Sequence, residues 1–543
     1  MTENIPLIKT GLKLGELHAE ADEVMLQNCF IDNGIYSEIT DTNSQQSIIV
    51  GRTGSGKSAI IYKIKLSQEH TSFIDPNDIS ARFLENSNII QFFHQLGIKI
   101  DLFYKVLWSH ILTVELLKLR YNIKSLEDNR SFISKLNGWV QRNSVKQRAL
   151  EYFYEWGNSF WLETHEQLKE LTSKFENNIK GSLGTKYANL DLSLEGAKSL
   201  NEESRSEIIR IANQVVSKIQ LQDLKKVQDL LAENAFDDPQ KKYFLLIDQL
   251  DEDWAETDTR CKFIRALIEE TKDFRRIPNV KIVTAIRKDL LDLVFDKTRG
   301  AGFQEEKYEA YIYNISWVRK NITELLNTRV KQVYKMKYTK DTVRFSDVFP
   351  KPQKHENITA IDFIIERTLF RPRDAIQFAN ECFAGSTGKG RITWRALRSA
   401  ETKYSLKRLK SLSEEWQEIY PALNQTIEIL RGLPTPFVKS NISSDSVHEL
   451  ACNLHELDHS DPCVQTAVRL YDTNAGIKES DLVNIVLSCL YRIGAIGIKI
   501  SSSMPISWSH IDAPILQKSE IKRVNSIHVH KMLHNALEIK INS

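Results

Sequence analysis

Glycine and proline are both scarce in this chain, 21 and 13 among 543 residues. So little of either leans the chain toward long helices. Cysteine is scarcer still. The six residues, at 29, 261, 382, 452, 463 and 489, include no Cys-x-x-Cys pair. That excludes a disulfide framework and fits a reducing cytosol. Charge of one sign is lacking too: the net charge is +2, so nucleic acid or membrane would need a local patch to bind. The longest apolar-looking stretch, Leu482 to Ile500, is interrupted by Asn484, Arg492 and two glycines, which rules it out as a membrane span. The N-terminal MTENIPLIKTGLKLGE has no cleavable signal pattern, so the expected location is cytoplasmic. No heptad array, short repeat or low-complexity tract is present. What remains is an ordinary globular composition, 41% hydrophobic and 27% charged, at a length that suggests roughly three or four domains.

Against this background one segment carries chemistry. Gly51-Arg52-Thr53-Gly54-Ser55-Gly56-Lys57-Ser58 fits GxxxxGK[ST]. The β-branched run Ser47 to Val50 reads as a buried strand before it, and Ala59 to Lys65 reads as a helix after it. Strand, glycine loop and helix is the arrangement the motif requires. Glycines let such a loop turn its N–H groups inward around phosphates, and the helix N-terminus adds partial positive charge. Cofactor-binding positions are thus Gly51, Thr53, Gly54, Ser55, Gly56, Lys57 and Ser58. In them, Lys57 reaches the β- and γ-phosphates and Ser58 gives its hydroxyl to Mg²⁺.

A second motif is independent of the first. Lys241-Lys242-Tyr243-Phe244-Leu245-Leu246-Ile247-Asp248-Gln249-Leu250-Asp251-Glu252 is an apolar run ending in acids. Such a run reads as a central parallel strand covered on both faces. An aspartate at its C-terminal end stands where open α/β sheets bind ligands, so Asp248 is the expected second ligand of magnesium beside Ser58. The position after it, where an acid is common, holds Gln249. Either Asp251 or Glu252 is then the candidate to orient an attacking water, with slow or absent hydrolysis left open. A third strand is expected at Val280 to Ile286, with Arg287 at its tip to sense the γ-phosphate or contact a neighbouring site, or, more plainly, to form a surface ion pair with Asp289. No guanine-type NKxD signature can be placed, which favours ATP.

These residues resemble bacterial P-loop ATPases of the STAND, KAP and origin-recognition neighbourhood, relatives of the AAA+ class. Four features carry the resemblance: GRTGSGKS at 51–58, KKYFLLIDQLDEDW at 241–254, IRKDLL at 286–291, and Arg371-Pro372-Arg373-Asp374 followed by an apparent helix from Ala375 to Cys382. Phe30 to Gly34 and Ile315-Ser316-Trp317 are also similar to a large-insert, mostly uncharacterised family in that group. The similarity spans roughly 20–385. It implies a lid in which Arg371 or Arg373 acts as a second sensor arginine. It also implies a homo-oligomer and a role in sensing or defence, exercised through a partner effector. Gln249 departs from the pattern and puts the hydrolytic base in doubt.

The expected architecture is an α/β P-loop NTPase core, a parallel sheet flanked by helices, with a large helical insertion, a helical lid and a winged-helix-like C-terminal domain. Residues 1–46 form an N-terminal segment, with Leu26 to Ile39 beside the adenine by analogy. Residues 47–335 form the core, with Phe73-Ile74-Asp75-Pro76 a second strand and turn. The interval between Lys57 and Asp248 exceeds a bare strand–helix–strand scaffold, so about 97–235 is a helical insertion. Its apolar positions Leu102, Val106, Leu107, Ile111, Leu112 and Leu116 fall at helical spacing. Trp108, Trp139, Trp156 and Trp161 read as core there, and Gly181 to Ser199 as a mobile loop. Residues 336–400 are the lid. In 401–543, a helix from Asp481 to Arg492 precedes candidate strands Ile496 to Ile500 and Ile506 to Ile511.

Three further clusters are weighed. Residues 391–410 hold seven basic side chains and one acid, a patch for DNA or RNA backbone or, more plainly, a solvated helix face or a surface docking onto an acidic partner. Cys452, His455, His459 and Cys463 are zinc-type residues. In one helix, however, the outer two would lie about 16 Å apart. His528, His530 and His534 read as ordinary side chains. The expected function is a Mg-ATP-binding regulatory switch that hydrolyses ATP. Its rivals are a DNA-binding motor or loader, gripping DNA with 391–410 and the C-terminal domain, and a non-hydrolysing ATP-bound scaffold.

Overall fold

The computed structural model describes residues 5–541 apart from 77–91, 94, 98–99, 141–161, 163, 184–196, 199, 219, 252–256, 301–303, 340–341, 353–357, 458–460, 472–475 and 512–515. The chain forms two compact units. One comprises Asp32–Arg52 and Gly56–Ile315; the other comprises Met1–Ile31, Thr53–Ser55 and Ser316–Ser543.

The first unit is built on a five-stranded sheet: β1 (Ile48–Gly51), β2 (His70–Ile74), β3 (Tyr243–Ile247), β4 (Val280–Arg287) and β5 (Ile312–Asn314). The order is β2-β3-β4-β1-β5, and every neighbouring pair is parallel. β1 and β3 are buried along their whole length and β4 along all but its last residue, while β2 and β5 at the edges are less so. That difference explains the composition. A central parallel strand has helices on both faces and therefore reads as a continuous apolar run. Because β4 lies between β1 and β3, the ends of all three open toward one edge, where this class of sheet binds ligands.

Lys281 is the exception within β4. It is almost fully buried, and its ammonium donates to the carbonyls of Glu38 (3.2 Å), Asp41 (2.5 Å) and Ser44 (3.4 Å), at the end of the helix Ile35–Thr40. A cation is well placed on carbonyls that a helix end leaves unpaired. Burial nevertheless pulls its pKa down to about 8.

Between β2 and β3 lie the helices Ile100–Tyr121, Leu126–Val140, Thr164–Leu183, Glu202–Lys218 and Gln220–Asn234. The helix Ile100–Tyr121 is apolar on most sides, and fourteen of its residues are buried. A helix hydrophobic all round belongs inside a core. Here it packs on the helix Thr257–Phe274, where the Trp108 indole donates to the Phe263 carbonyl (3.0 Å). The insertion therefore shares one apolar core with the sheet. Residues 181–183 close a helix rather than open a loop; most of the expected loop beyond them, with Trp156 and Trp161, lies outside the described residues.

The second unit is mainly helical. The helix Arg319–Tyr338 packs against the helices Glu23–Cys29 and Pro372–Ala384, so the expected close of the core near 335 falls inside a helix of this unit. Further on come Trp394–Trp416, Ser444–His455, Pro462–Tyr471 and Glu479–Ile493. The last ends at Gly494, whose left-handed backbone (φ 86°) suits a C-terminal cap.

One expected strand is corrected here. Ile496–Lys499 pairs antiparallel with Ser526–Val529, from Ile496↔Val529 to Lys499↔Ser526, and not with a strand over Ile506 to Ile511. That stretch contributes a single bridge, Ser507 to Ile498. Ile506 and Trp508 press on Gly497 instead, so closely that a Cβ there would meet the Trp508 ring at 2.6 Å. Ser507 bonds both main-chain groups of Ile498 (3.0 and 2.7 Å), on the edge away from Ser526–Val529, and the pairing on that edge stops at this one bridge.

Candidate functional site

β1 ends at Gly51, and the loop turns through Gly54 (φ 76°) and Gly56 (φ 98°) into the helix Lys57–Ser67. Both angles lie in the left-handed region that glycine occupies without a side-chain penalty. The motif's glycines are thus explained by backbone conformation. Lys57 is buried, and its ammonium folds back to donate to the carbonyls of Gly51 (3.1 Å) and Arg52 (3.2 Å). Burial lowers its pKa, against the pull of Asp251 and Asp248 nearby.

Asp248 follows β3 directly and is 3% exposed. Its Oδ1 accepts the Gln249 main-chain N–H (2.9 Å), while Oδ2 is buried with no hydrogen-bond partner among the described residues. Burial pushes the carboxyl up to about 6; the Ser58 hydroxyl, the Gln249 N–H and Lys57 act the other way. This donor set suits a hard divalent cation, with an orphaned carboxylate oxygen beside a serine hydroxyl and oxygen ligands only. Gln249 itself is left-handed, at φ 64°. Its importance for chain direction was invisible in the sequence, because glutamine is not a residue that announces such an angle.

Arg287 ends β4 and donates through Nε to Asp289 Oδ1 (3.1 Å), with a second bond from Nη2 to the other carboxylate oxygen. Its Nη1 also lies 3.6 Å from Asp251 Oδ2. Asp251 is thus in ion-pair range of Arg287 and near enough to Lys57 to pull the lysine's pKa up against burial. Lys57, Ser58, Asp248, Asp251, Arg287 and Asp289 form one cluster at the open ends of three adjacent strands. Glu252, the other candidate base, lies outside the described residues.

Arg371 and Arg373 belong to the second unit. Arg371 stands just before the helix Pro372–Ala384, which has proline at its first position. It is 2% exposed and grips Glu415 through Nη1 (3.0 and 2.8 Å). Arg408 adds bonds to the same carboxylate (3.3 Å) and lies 3.4 Å from Asp374. Burial alone would raise the Glu415 pKa, yet the two guanidiniums hold it down to about 2. The Arg371 guanidinium is therefore engaged in a buried ion-pair cluster. Arg373 donates from Nε to the Leu17 carbonyl (3.1 Å) and from its main-chain N–H to that of Gly54 (3.4 Å). In the same unit the Trp317 indole donates to the Ser55 carbonyl (2.8 Å), which gives the Ile315-Ser316-Trp317 motif a physical role.

The zinc-type residues are dispersed. Cys452 is exposed and lies 3.1 Å from the Tyr471 hydroxyl, Cys463 is buried beside the Cys489 thiol, and His459 is outside the described residues. Among the described residues no group of three or more His, Cys, Asp or Glu side chains is arranged to hold a metal. His530 is buried, accepts the Met532 N–H (3.2 Å) and is pushed down to about 3 by burial. No helix among the described residues is long and apolar enough to cross a membrane.

Comparison with known proteins adds three findings. Residues 320–413 match the FunZ-associated C-terminal helical domain family. The chain is 22% identical over 510 residues to a putative transposon gamma-delta 80.3 kDa protein of Escherichia coli K12, a match covering 91% of this chain and 63% of that protein. The chain thus spans less than two thirds of that relative's length. A Walker-type ATPase of Pyrococcus abyssi aligns over 91% of this chain and 97% of its own, with 11% identity and a TM-score of 0.34. The P-loop architecture is carried by the parallel sheet and the glycine loop themselves.

Proposed function

We propose that the protein binds Mg-ATP on the 51–58 loop and hydrolyses it as a regulatory switch. The observation that carries this reading is the buried, unbonded Asp248 Oδ2 beside Ser58, one strand away from Arg287 and close enough to the buried Lys57 to feel its charge. Lys57 leaves its own loop carbonyls to neutralise phosphate charge. The loop N–H groups, turned inward by Gly54 and Gly56, donate to the phosphate oxygens. Ser58 and Asp248 would hold magnesium, which neutralises charge that develops on the phosphates. Of the two candidate acids, Asp251 is the one among the described residues; it would orient a water, with its Oδ2 3.6 Å from Arg287 Nη1. Arg287 then couples the nucleotide's state to the strand tip.

A second reading, a non-hydrolysing scaffold, is favoured by Gln249, which supplies no acid directly after Asp248. Steady-state phosphate release by the unmodified protein and by Asp251→Asn separates the two. The switch reading expects turnover that falls by roughly a hundredfold or more in the variant, as for loss of a positioned base. Tight ATP binding without turnover in the unmodified protein would select the scaffold.

A further inference from the structure

The sequence run 391–410 is basic in total, and the fold sorts its charges by face. Its one acid, Glu401, is turned inward, 8% exposed and paired with Arg367. One of its cations, Arg408, is likewise turned inward to Glu415 and Asp374. The six that remain, Arg391, Arg395, Arg398, Lys403, Lys407 and Lys410, are all exposed. Lys407 has a partner in Glu381 and Lys410 lies 3.8 Å from Glu414, whereas Arg391, Arg395 and Lys403 have no ion-pair partner among the described residues. The solvent side of this stretch therefore carries six cations and no carboxylate of its own. Along the helix Trp394–Trp416 the cations from Arg395 to Lys410 extend over about 22 Å at about 1.5 Å per residue.

We infer that this face docks on the phosphate backbone of double-stranded DNA. Charge complementarity argues for a polyanion, because duplex DNA carries a charge about every 1.7 Å of its axis. The composition of the face chooses among polyanions. Its aromatic neighbours are committed inward: Tyr404 is buried, and Trp394 donates to the Lys351 carbonyl and packs on Phe363. No stacking platform for unpaired bases is thus offered, as a single-strand binder would require. Leu406 is the one large exposed apolar side chain within the stretch, too little for the apolar centre of a protein interface. The contacts available are to phosphates, so binding is insensitive to sequence and strongly dependent on salt.

The test is fluorescence anisotropy of a short labelled mixed-sequence duplex titrated with the full chain, without nucleotide, between about 50 and 200 mM salt. Leaving nucleotide out keeps this result separate from the reading of the glycine loop. We expect log affinity to fall steeply with log salt. In Arg391→Glu/Arg395→Glu/Lys403→Glu, affinity should drop by at least about tenfold and the slope should flatten by about 2 to 3. The neutral triple variant to glutamine should lie between the two, which guards against a folding artefact. Absence of duplex binding at the lowest salt, equal binding by all three proteins, or binding of the acidic polypeptide polyglutamate in preference to the duplex would each overturn the proposal.

Discussion

Replacing Asp248 by asparagine should make the nucleotide-free protein more stable while removing its metal site. The carboxyl has an ordinary value of 3.8 and stands at about 6 in the fold. A raised value means that the folded protein holds this proton more tightly than the unfolded chain does. The site's contribution to stability is therefore greatest below about pH 4, declines as pH climbs toward about 6, and is flat above. At about 1.4 kcal/mol per pH unit, the ionised aspartate costs about 3 kcal/mol at pH 7. Asp248→Asn keeps an oxygen for the Gln249 N–H and discards the charge. Urea denaturation at pH 7 should show a gain of about 3 kcal/mol, shrinking to near zero around pH 4. In the same variant the magnesium-dependent part of ATP affinity should vanish. A variant no more stable than the parent at pH 7, or a gain that does not change with pH, would refute the argument that this carboxylate is held ready for a cation at the expense of the empty fold.

Other outcomes follow from the same reasoning. Glu270 is buried beneath the helical insertion and raised to about 8 by burial and by Asp273, so parental stability should decline between about pH 4.5 and 8. Glu270→Gln should recover about 3 kcal/mol at pH 7 by thermal or urea unfolding. Gln249→Gly relieves a left-handed position but loosens the unfolded chain, and should cost less in urea unfolding than Gln249→Val, which puts a β-branched side chain at the same angle; equal stability of the two variants would show that the turn is not strained. Arg371→Met leaves Glu415 buried with Arg408 as its remaining guanidinium, and should cost about 3 kcal/mol; a neutral result would mean the cluster is not held by charge.

How much of this was legible beforehand depends on how local each feature is. The glycine loop could be read because Gly54 and Gly56 must adopt angles that few other residues tolerate, and that demand is written at the residues themselves. The strand before Asp248 could be read because burial on both faces leaves five apolar residues in a row. Strand order could not: nothing within Val280–Arg287 says that it lies between β1 and β3. The ladder partner of Ile496–Lys499 is hidden because Ile506 and Trp508 have strand-type side chains yet give one bridge, while Ser526–Val529 is short and half polar. The inward turn of Glu401 and Arg408 was equally hidden, since it depends on Arg367, Asp374 and Glu415 being brought to that helix by packing. Lys281 gave no sign at all; a lysine in an apolar strand becomes intelligible only when three carbonyls converge on it.

The central claim is that the 51–58 loop and Asp248 together hold Mg-ATP. Isothermal titration calorimetry of ATP into the full chain, with magnesium and with chelator, tests it most directly beside Lys57→Ala. The account predicts saturable one-site binding that magnesium strengthens, and a loss on the order of a hundredfold, about 3 kcal/mol, when the Lys57 ammonium is removed. Binding of equal strength in Lys57→Ala, or no binding by the unmodified protein with magnesium present, would contradict it.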